Sequence, residues 1–222
     1  MPSIFQRALG PAYARLHPQL QRRFAVGLDS GEACIGSGVM NRVWNAGLVV
    51  RPFLSLGRHR NILVGDTGRD LPFRIENYPY ADSLGRETVT FVRTFPRDRF
   101  DATMVYDDTR AQVMDYLGTH QHIAVPLALS VDDRGGLVIR SGRQRLLEGP
   151  LAVRLPAAAT GTAVVSEHFD DRAGRFTIAV TVSNPVLGRI FGYWGSFTAE
   201  YVNVAEHGIP ASVRPRREEA RH

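Results

Sequence analysis

The chain has 222 residues, 44% of them apolar and 22% charged, a composition that fits one domain with a sizeable core. All 27 basic residues are arginine, which excludes chemistry that needs a lysine amine, such as a Schiff base or a phosphate-loop lysine. The net charge is +5, and the basic surplus is concentrated at the two ends of the chain. No basic stripe with interleaved aromatic residues is evident, which argues against nucleic-acid binding.

A single cysteine, Cys34, excludes an intrachain disulfide. No basic residue lies near it in the sequence, so we expect a buried, unreactive thiol. The start of the chain lacks the apolar core of a signal peptide, and no run of about 18 apolar residues predicts a membrane helix. We therefore expect a cytoplasmic protein without membrane insertion.

The chain opens with a helix signal. Ser3 and Gln6 have the spacing of a capping box, and Pro11 and Pro18 break the segment into short helical pieces. Such an opening usually packs one apolar stripe onto a sheet. The apolar residues at helical spacing are Ile4, Phe5, Ala8, Leu9, Ala12 and Leu16.

The next two segments are a strand and a short helix. Residues from Glu32 to Trp44 predict a first strand, with a bulge or bend at the glycines of residues 36–38. Residues 48–56 are apolar but contain Pro52, and we interpret them as a short helix or a cap.

From Thr88 onward the apolar residues alternate with period two, which is the pattern of β-strands. In the first of these runs Val89, Phe91 and Phe95 share a face with one charged residue, Arg93. A turn sequence at residues 132–136 joins two later runs into a hairpin. The later runs span residues 123–131, 137–145, 163–169, 175–183 and 193–204.

About eight to ten antiparallel strands result, so we predict a mainly β (α+β) fold with an N-terminal helix and a short helix after the first strand. So many strands must close into a barrel-like or strongly curved sheet, or stack as two sheets, because an open sheet leaves unpaired edges. The alternation fits a barrel and a sandwich equally well. We expect residues 1–205 to form one β-rich ligand-binding domain and residues 206–222, rich in Arg, Glu and Pro, to form a disordered tail.

Several segments carry a family resemblance. In chain order, "SGVMNRVW", "ETVTFVRTF", "RFDATMVYDD" and "FTIAVTVSNPVLGRIFGYWGSF" resemble the uncharacterised bacterial family catalogued as domain of unknown function 4166. The likeness runs from Ile4 to about Tyr201. It implies a small stand-alone protein or an accessory to a reductase-like nucleotide-binding domain, and hence a possible reductase partner. One departure is Asp115, because the family tends to place the longer Glu there.

Three charged residues lie on otherwise apolar strand faces. Arg93 lies among Val89, Phe91 and Phe95, while Asp115 and Glu167 interrupt two other apolar runs. An ion in such a place needs a partner or a ligand. One interpretation is an internal ion-pair network that fixes strand register. The other is catalytic: Arg93 holds an oxyanion while a desolvated carboxylate with a raised pKa moves a proton.

His120 and His122 form a His-x-His pair. A metal centre would need a third ligand at a suitable spacing, which the sequence does not offer, so we predict no metal. We expect a loop-side pair capped by hydrogen bonds. The alternative is that either histidine acts as a proton shuttle near a pocket mouth, and His120 is the catalytic candidate. No cofactor is predicted either.

Further residues are candidates for contacts with a ligand. Arg143 could bind an anionic group, and aromatic residues of the closing strands could line a pocket with their polar tips. The predicted ligand contacts are Phe91, Met104, Tyr116, Arg143, Tyr193, Trp194 and Tyr201.

The sequence thus favours a pocket for a hydrophobic small molecule. The first hypothesis is a cofactor-free acid/base enzyme of the isomerase, cyclase or hydratase type in secondary or lipid metabolism. The alternative is a non-catalytic binding or accessory module that works with a separate NAD(P)-dependent reductase. A third hypothesis is a structural domain with a filled interior.

Overall fold

The structure is a computed structural model that describes residues 1–47 and 65–221. No helix in these residues is long and apolar enough to cross a lipid bilayer. The predicted short helix at residues 48–56 lies outside the described residues. The helices are α1 (Ile4–Leu9), α2 (Pro18–Phe24) and α3 (Val204–His207). The strands are β1 (Glu32–Asn45), β2 (Gly68–Ala81), β3 (Glu87–Thr94), β4 (Arg99–Asp107), β5 (Gln112–Leu117), β6 (Ile123–Val131), β7 (Leu137–Ser141), β8 (Arg145–Glu148), β9 (Leu151–Arg154), β10 (Thr162–Asp170), β11 (Arg175–Asn184) and β12 (Gly188–Asn203).

Ten of these strands form a closed antiparallel barrel. The hydrogen-bonded order is β5-β4-β3-β2-β1-β12-β11-β10-β7-β6, and β5 also pairs with β6, which closes the ring. Asp115 lies opposite Val125 in that closing pair. Strands β8 and β9 continue from β6 outside the ring. Closure leaves the ten ring strands without a free edge. The mainly β prediction is confirmed, and the pairing decides between the barrel and the sandwich in favour of the barrel.

The N-terminal helices lie across one end of the barrel, which we call the helical end. The predicted capping box of α1 is present: Gln6 N donates to Ser3 Oγ at 3.2 Å, and Ser3 N donates to Gln6 Oε1 at 2.7 Å. His17 N donates to the carbonyl of Gly135 in the β6–β7 turn at 2.9 Å, and Leu28 N donates to Glu87 Oε1 at the start of β3 at 3.1 Å. The turns at residues 95–98, 118–122 and 185–187 therefore lie at the opposite, distal end.

The core lies inside the barrel and against the helices. Phe5 of α1 meets Phe91 of β3 with ring centroids 5.8 Å apart. Gly36 of β1 makes room for interior side chains, because a Cβ there would lie 2.7 Å from both Ile75 Cγ2 and Phe197 Cδ2. The predicted irregularity of β1 exists, but it lies at a register shift between Val39 and Arg42 rather than at the glycines. The glycines serve close packing instead.

The C-terminal segment packs on the outer face of the barrel. Val213 is buried in a small cluster that includes Tyr80 and Val92. Farther along, Glu219 N donates to Gln121 Oε1 at 2.6 Å. Composition predicted disorder for residues 206–222, whereas the described residues of this segment make hydrogen bonds to the barrel, among them Arg216 N to the carbonyl of Thr119 at 2.7 Å. Apolar content alone does not report such contacts.

Candidate functional site

Two opposite charges lie on the inner face of the barrel, in the half near the distal end. Arg93 is close to the end of β3, and Asp115 is close to the end of β5. Each residue is only 7% exposed. Their position follows from strand alternation, because Arg93 is in phase with inward-facing Phe91, and Asp115 is in phase with inward-facing Val113. The sequence prediction placed both residues on these faces.

Polar atoms of this pair are buried without hydrogen-bond partners. Within the part of the chain that the structure describes, Nε and Nη1 of Arg93 and Oδ1 of Asp115 have none. The guanidinium carbon of Arg93 lies 5.5 Å from the ring centroid of Phe91 and 5.2 Å from that of Phe100. The faces of these aromatic rings attract the positive charge of the guanidinium. They do not replace hydrogen-bond acceptors for its N–H groups, which point outward in the guanidinium plane. Because such groups are usually satisfied, these atoms mark a place suited to a polar group from outside the chain.

Burial sets the protonation of Asp115. Desolvation raises its pKa from 3.8 to about 7, and the positive charge of Arg93 opposes that rise without cancelling it. Both protonation states are therefore populated near neutral pH. Tyr193 of β12 also interacts electrostatically with Arg93. Burial raises the pKa of the Tyr193 hydroxyl, and the positive charge of Arg93 opposes that rise. The site thus combines a fixed cation, a titrating carboxyl group and a neutral phenol.

Glu167 belongs to a different cluster, at the helical end. Arg23 of α2 reaches into the barrel, and its Nε lies 2.5 Å from Glu167 Oε1. Its Nη1 donates to Asn77 Oδ1 at 3.2 Å. Burial disfavours the guanidinium charge, but the Glu167 carboxylate outweighs that effect and raises the pKa of Arg23. Glu167 is thus half of a buried ion pair that joins α2 to the barrel.

Arg23 was not predicted as a site residue from the sequence. Its contact with Cys34 was not predicted either. Arg23 Nη1 lies 3.0 Å from Cys34 Sγ, so the thiol has a basic neighbour that comes from a distant helix. Cys34 itself is buried, and desolvation raises its pKa although Arg23 opposes the shift. The only signal in the sequence was an arginine in phase with the apolar residues of α2, which also fits a surface position.

The distal rim of the barrel interior is more accessible than its middle. Val125 and Val180 face inward and are buried. Ile123 and Val182 lie on the same two strands, each two positions closer to the distal end. They pack against the same core but are only half-buried. Leu117, two residues beyond Asp115, is half-buried as well. Among the described residues, these inward-facing side chains near the distal end are therefore less buried than those in the middle of the barrel.

Four of the predicted ligand contacts face the interior. Phe91, Met104 and Tyr193 are buried in the barrel core together with the inner face that carries Arg93. Tyr201 lies at the helical end, where the guanidinium carbon of Arg22 is 4.1 Å from its ring centroid. The structure thus brings three of the four to the half of the barrel with Arg93 and Asp115.

The other predicted contacts lie outside the barrel. Tyr116 is on the outer face of β5, where its hydroxyl donates to the carbonyl of Arg221 at 2.9 Å. Arg143 is exposed in the segment after β7, and Trp194 is 52% exposed on the outer face of β12. Alternation explains Tyr116 and Trp194, because their neighbours Asp115 and Tyr193 face inward. The structure does not bring these three residues to Arg93.

The histidine pair lies in and beside the β5–β6 turn. The rings of His120 and His122 stack with centroids 5.4 Å apart. His120 Nδ1 lies 3.0 Å from Thr119 Oγ1. This places His120 at the distal end of the barrel but on a turn rather than on an inward-facing strand position. Within residues 1–47 and 65–221, no group of three or more His, Cys, Asp or Glu residues is arranged to hold a metal ion.

Comparison with known proteins supplies a family. The profile of a family described as "Domain of unknown function (DUF4166)" matches residues 16–197. The chain is also similar to the "Uncharacterized protein YndH" of Bacillus subtilis (strain 168), with 33% identity over 204 residues that cover 90% of this chain and 98% of that protein. No solved structure matches. Neither match brings an activity or a partner with it. The chain belongs to the DUF4166 family.

Proposed function

We propose that the barrel binds a hydrophobic small molecule that carries a carboxylate or carbonyl group, with this group beside Arg93. The observation that carries the proposal is the pair of buried, oppositely charged side chains with unpartnered polar atoms on one inner face. A ligand oxygen beside Arg93 would accept a hydrogen bond from Nε or from Nη1, which lie on opposite sides of the guanidinium. Such charge-assisted bonds are about twice as strong as neutral ones.

The walls of the barrel favour an otherwise apolar ligand. Phe91, Phe95 and Met104 are buried in the core that surrounds the charged pair. Small-molecule sites typically combine such walls with a few polar groups that fix orientation. The half-buried residues Leu117, Ile123 and Val182 line the route from the distal end. A ligand that enters there would place its polar head toward the pair and its apolar body against the rim.

Native mass spectrometry of the protein purified from its own host tests this proposal. We expect a retained small molecule in the wild-type protein and its loss in Arg93→Met, which keeps an unbranched apolar stem but removes the cation. Arg143→Met is the matched control, because Arg143 is an exposed arginine outside the barrel. Equal retention by Arg93→Met and the wild-type protein would contradict the proposed site.

The pKa of Asp115 favours a second, more specific function at the same place. A carboxyl group with a pKa of about 7 can both accept and return a proton at neutral pH. Asp115 would take a proton from the carbon next to a ligand carbonyl, and the electron pair would move onto the carbonyl oxygen. Arg93 would stabilise the negative charge there, and return of the proton at another carbon would give an isomer.

Exchange with heavy water tests this catalytic role. The retained molecule, once identified by its mass, is incubated in D₂O with the wild-type protein and with Asp115→Asn. We expect deuterium to enter the position next to the carbonyl only with the wild-type protein. Binding without exchange in both proteins would leave a carrier or sensor as the function of the barrel, and exchange at equal rates would exclude Asp115 as the base.

A further inference from the structure

The outer face of the barrel has a groove that is separate from the Arg93–Asp115 pair. Its volume is about 340 Å³, and it crosses β10, β11 and β12 beside the exposed indole of Trp194. Three outward-facing residues form one row through the strand register: Ser166 is paired with Ala179, and Ala179 is paired with Trp194. Because Ala179 is small, it leaves the face of the neighbouring indole uncovered on that side.

A second row of outward-facing residues adds polar groups. His168 is paired with Thr177, and Thr177 is paired with Ser196. All three residues line the groove. The cross-strand rows thus set an aromatic wall next to a strip of hydroxyl groups, an arrangement that the register of three neighbouring strands fixes.

The irregularity of β1 adds an amide to the same groove. The register between β1 and β12 shifts between Val39 and Arg42, and Asn41 lies within the shift and lines the groove. Gly195 permits this close approach, because a Cβ there would lie 2.2 Å from the carbonyl oxygen of Val39. Bulges of this kind redirect side chains and are frequent beside functional sites.

The charged residues of the groove are largely occupied with each other or with the backbone. His168 Nε2 lies 2.6 Å from Asp132 Oδ2. Asp170 Oδ1 accepts from the backbone N–H groups of Arg172 and Ala173 at 2.9 and 3.1 Å. Arg175 also lines the groove, but its Nε is buried and has no hydrogen-bond partner among the described residues. The groove therefore offers mainly neutral hydroxyl and amide groups.

We propose that this groove binds a pyranose sugar. The indole face of Trp194 is electron-rich and attracts the C–H groups on the apolar face of a sugar ring. Asn41, Thr177 and Arg175 supply hydrogen-bonding groups for the ring hydroxyls. The volume lies at the lower end of the range for small-molecule sites, about 300–1,000 Å³, which suits one sugar ring with a substituent.

Saturation-transfer NMR tests the proposal with three probes: methyl α-D-glucopyranoside, methyl β-D-galactopyranoside and methyl N-acetyl-β-D-glucosaminide. We expect transfer from the protein to the ring C–H protons of at least one probe. Trp194→Ala should weaken binding about tenfold or more, because the variant loses the whole aromatic surface on which the sugar ring would stack. Trp194→Phe should retain part of the affinity, and Asn41→Ala should weaken binding less than Trp194→Ala.

Two controls separate this site from the others. Leu151→Ala removes an exposed apolar side chain of β9 that is far from the groove in the sheet order, and it should bind the sugar as the wild-type protein does. Arg93→Met should also retain sugar binding, so this proposal and that for the barrel interior can fail independently. Absence of transfer to all three probes at millimolar concentration would overturn the proposal. Transfer that is unchanged in Trp194→Ala would overturn it as well.

Discussion

The substitution Asp115→Asn should stabilise the protein at pH 8 but not at pH 4. Burial raises the pKa of Asp115 from 3.8 to about 7, so the folded state holds this proton more tightly than the unfolded chain does. Stability then falls as pH rises between these two values, because deprotonation is easier after unfolding. Well below pH 3.8 the group is protonated in both states and contributes no pH dependence. Asn is neutral at every pH and of nearly the same shape.

The size of the effect follows from the two pKa values. A rise from 3.8 to about 7 corresponds to a loss of stability of about 4 kcal/mol when the group is ionised. Relaxation of the site and entry of water would reduce this figure, so we expect a gain of about 2–4 kcal/mol for the variant at pH 8. The attraction to Arg93 is already contained in the shifted pKa.

Urea denaturation of both proteins from pH 4 to pH 8 measures the difference. Other groups titrate alike in the two proteins, so the difference in unfolding free energy isolates Asp115. Asp133→Asn, at an exposed position in the β6–β7 turn, controls for the loss of one negative charge. A difference between wild type and Asp115→Asn that stays constant across this range would refute a desolvated Asp115.

Three further predictions concern the other buried charges. Arg93→Met should raise the pKa of Asp115 further, because Arg93 lowers it; ¹³C NMR of the carboxyl group measures this, and an unchanged pKa would place the two groups too far apart. Arg23→Met should destabilise the protein by about 3–5 kcal/mol by leaving Glu167 unpaired, and adding Glu167→Met should restore much of the loss in denaturant titrations. If the double variant is as unstable as the single one, the pair is not coupled. The Arg221 side chain holds the pKa of Glu219 near 2, so the stabilisation from Glu219 is present above pH 4.5 and lost as pH falls toward 2. Glu219→Gln should therefore speed proteolysis of the C-terminal segment at pH 7 but not at pH 2.5 with an acid protease, and equal rates at both would contradict this anchoring.

The strand alternation predicted the mainly β fold well because it is a local signal, although it fitted a barrel and a sandwich equally. Val89, Phe91 and Phe95 define one face of β3, and Arg93 falls on that face by the same period. Alternation within one strand contains no information about which strands pair. The pairing of β5 with β6 that closes the barrel, with Asp115 opposite Val125, could therefore not be predicted. Strand β2 was not predicted, because Pro72 and Pro79 interrupt its pattern.

The candidate site was only partly predictable for the same reason. Alternation placed Arg93, Asp115 and Glu167 on inner faces but could not say that Glu167 has a partner. That partner, Arg23, comes from a helix 144 residues away. Likewise Trp194 was predicted as a contact in the same pocket as Tyr193, although neighbouring residues on a strand point to opposite faces. The position of a residue along the barrel axis, and its contacts with elements distant in the sequence, can be determined only from the three-dimensional structure.

Calorimetric titration with octanoate measures whether the barrel interior receives a ligand oxygen at Arg93. We expect saturable one-to-one binding by the wild-type protein and by Arg143→Met. Arg93→Met should bind at least about tenfold more weakly, because a hydrogen bond to a charged group is worth about 1.5–3 kcal/mol. Equal affinity in Arg93→Met, or no binding by the folded wild-type protein, would contradict ligand binding at Arg93.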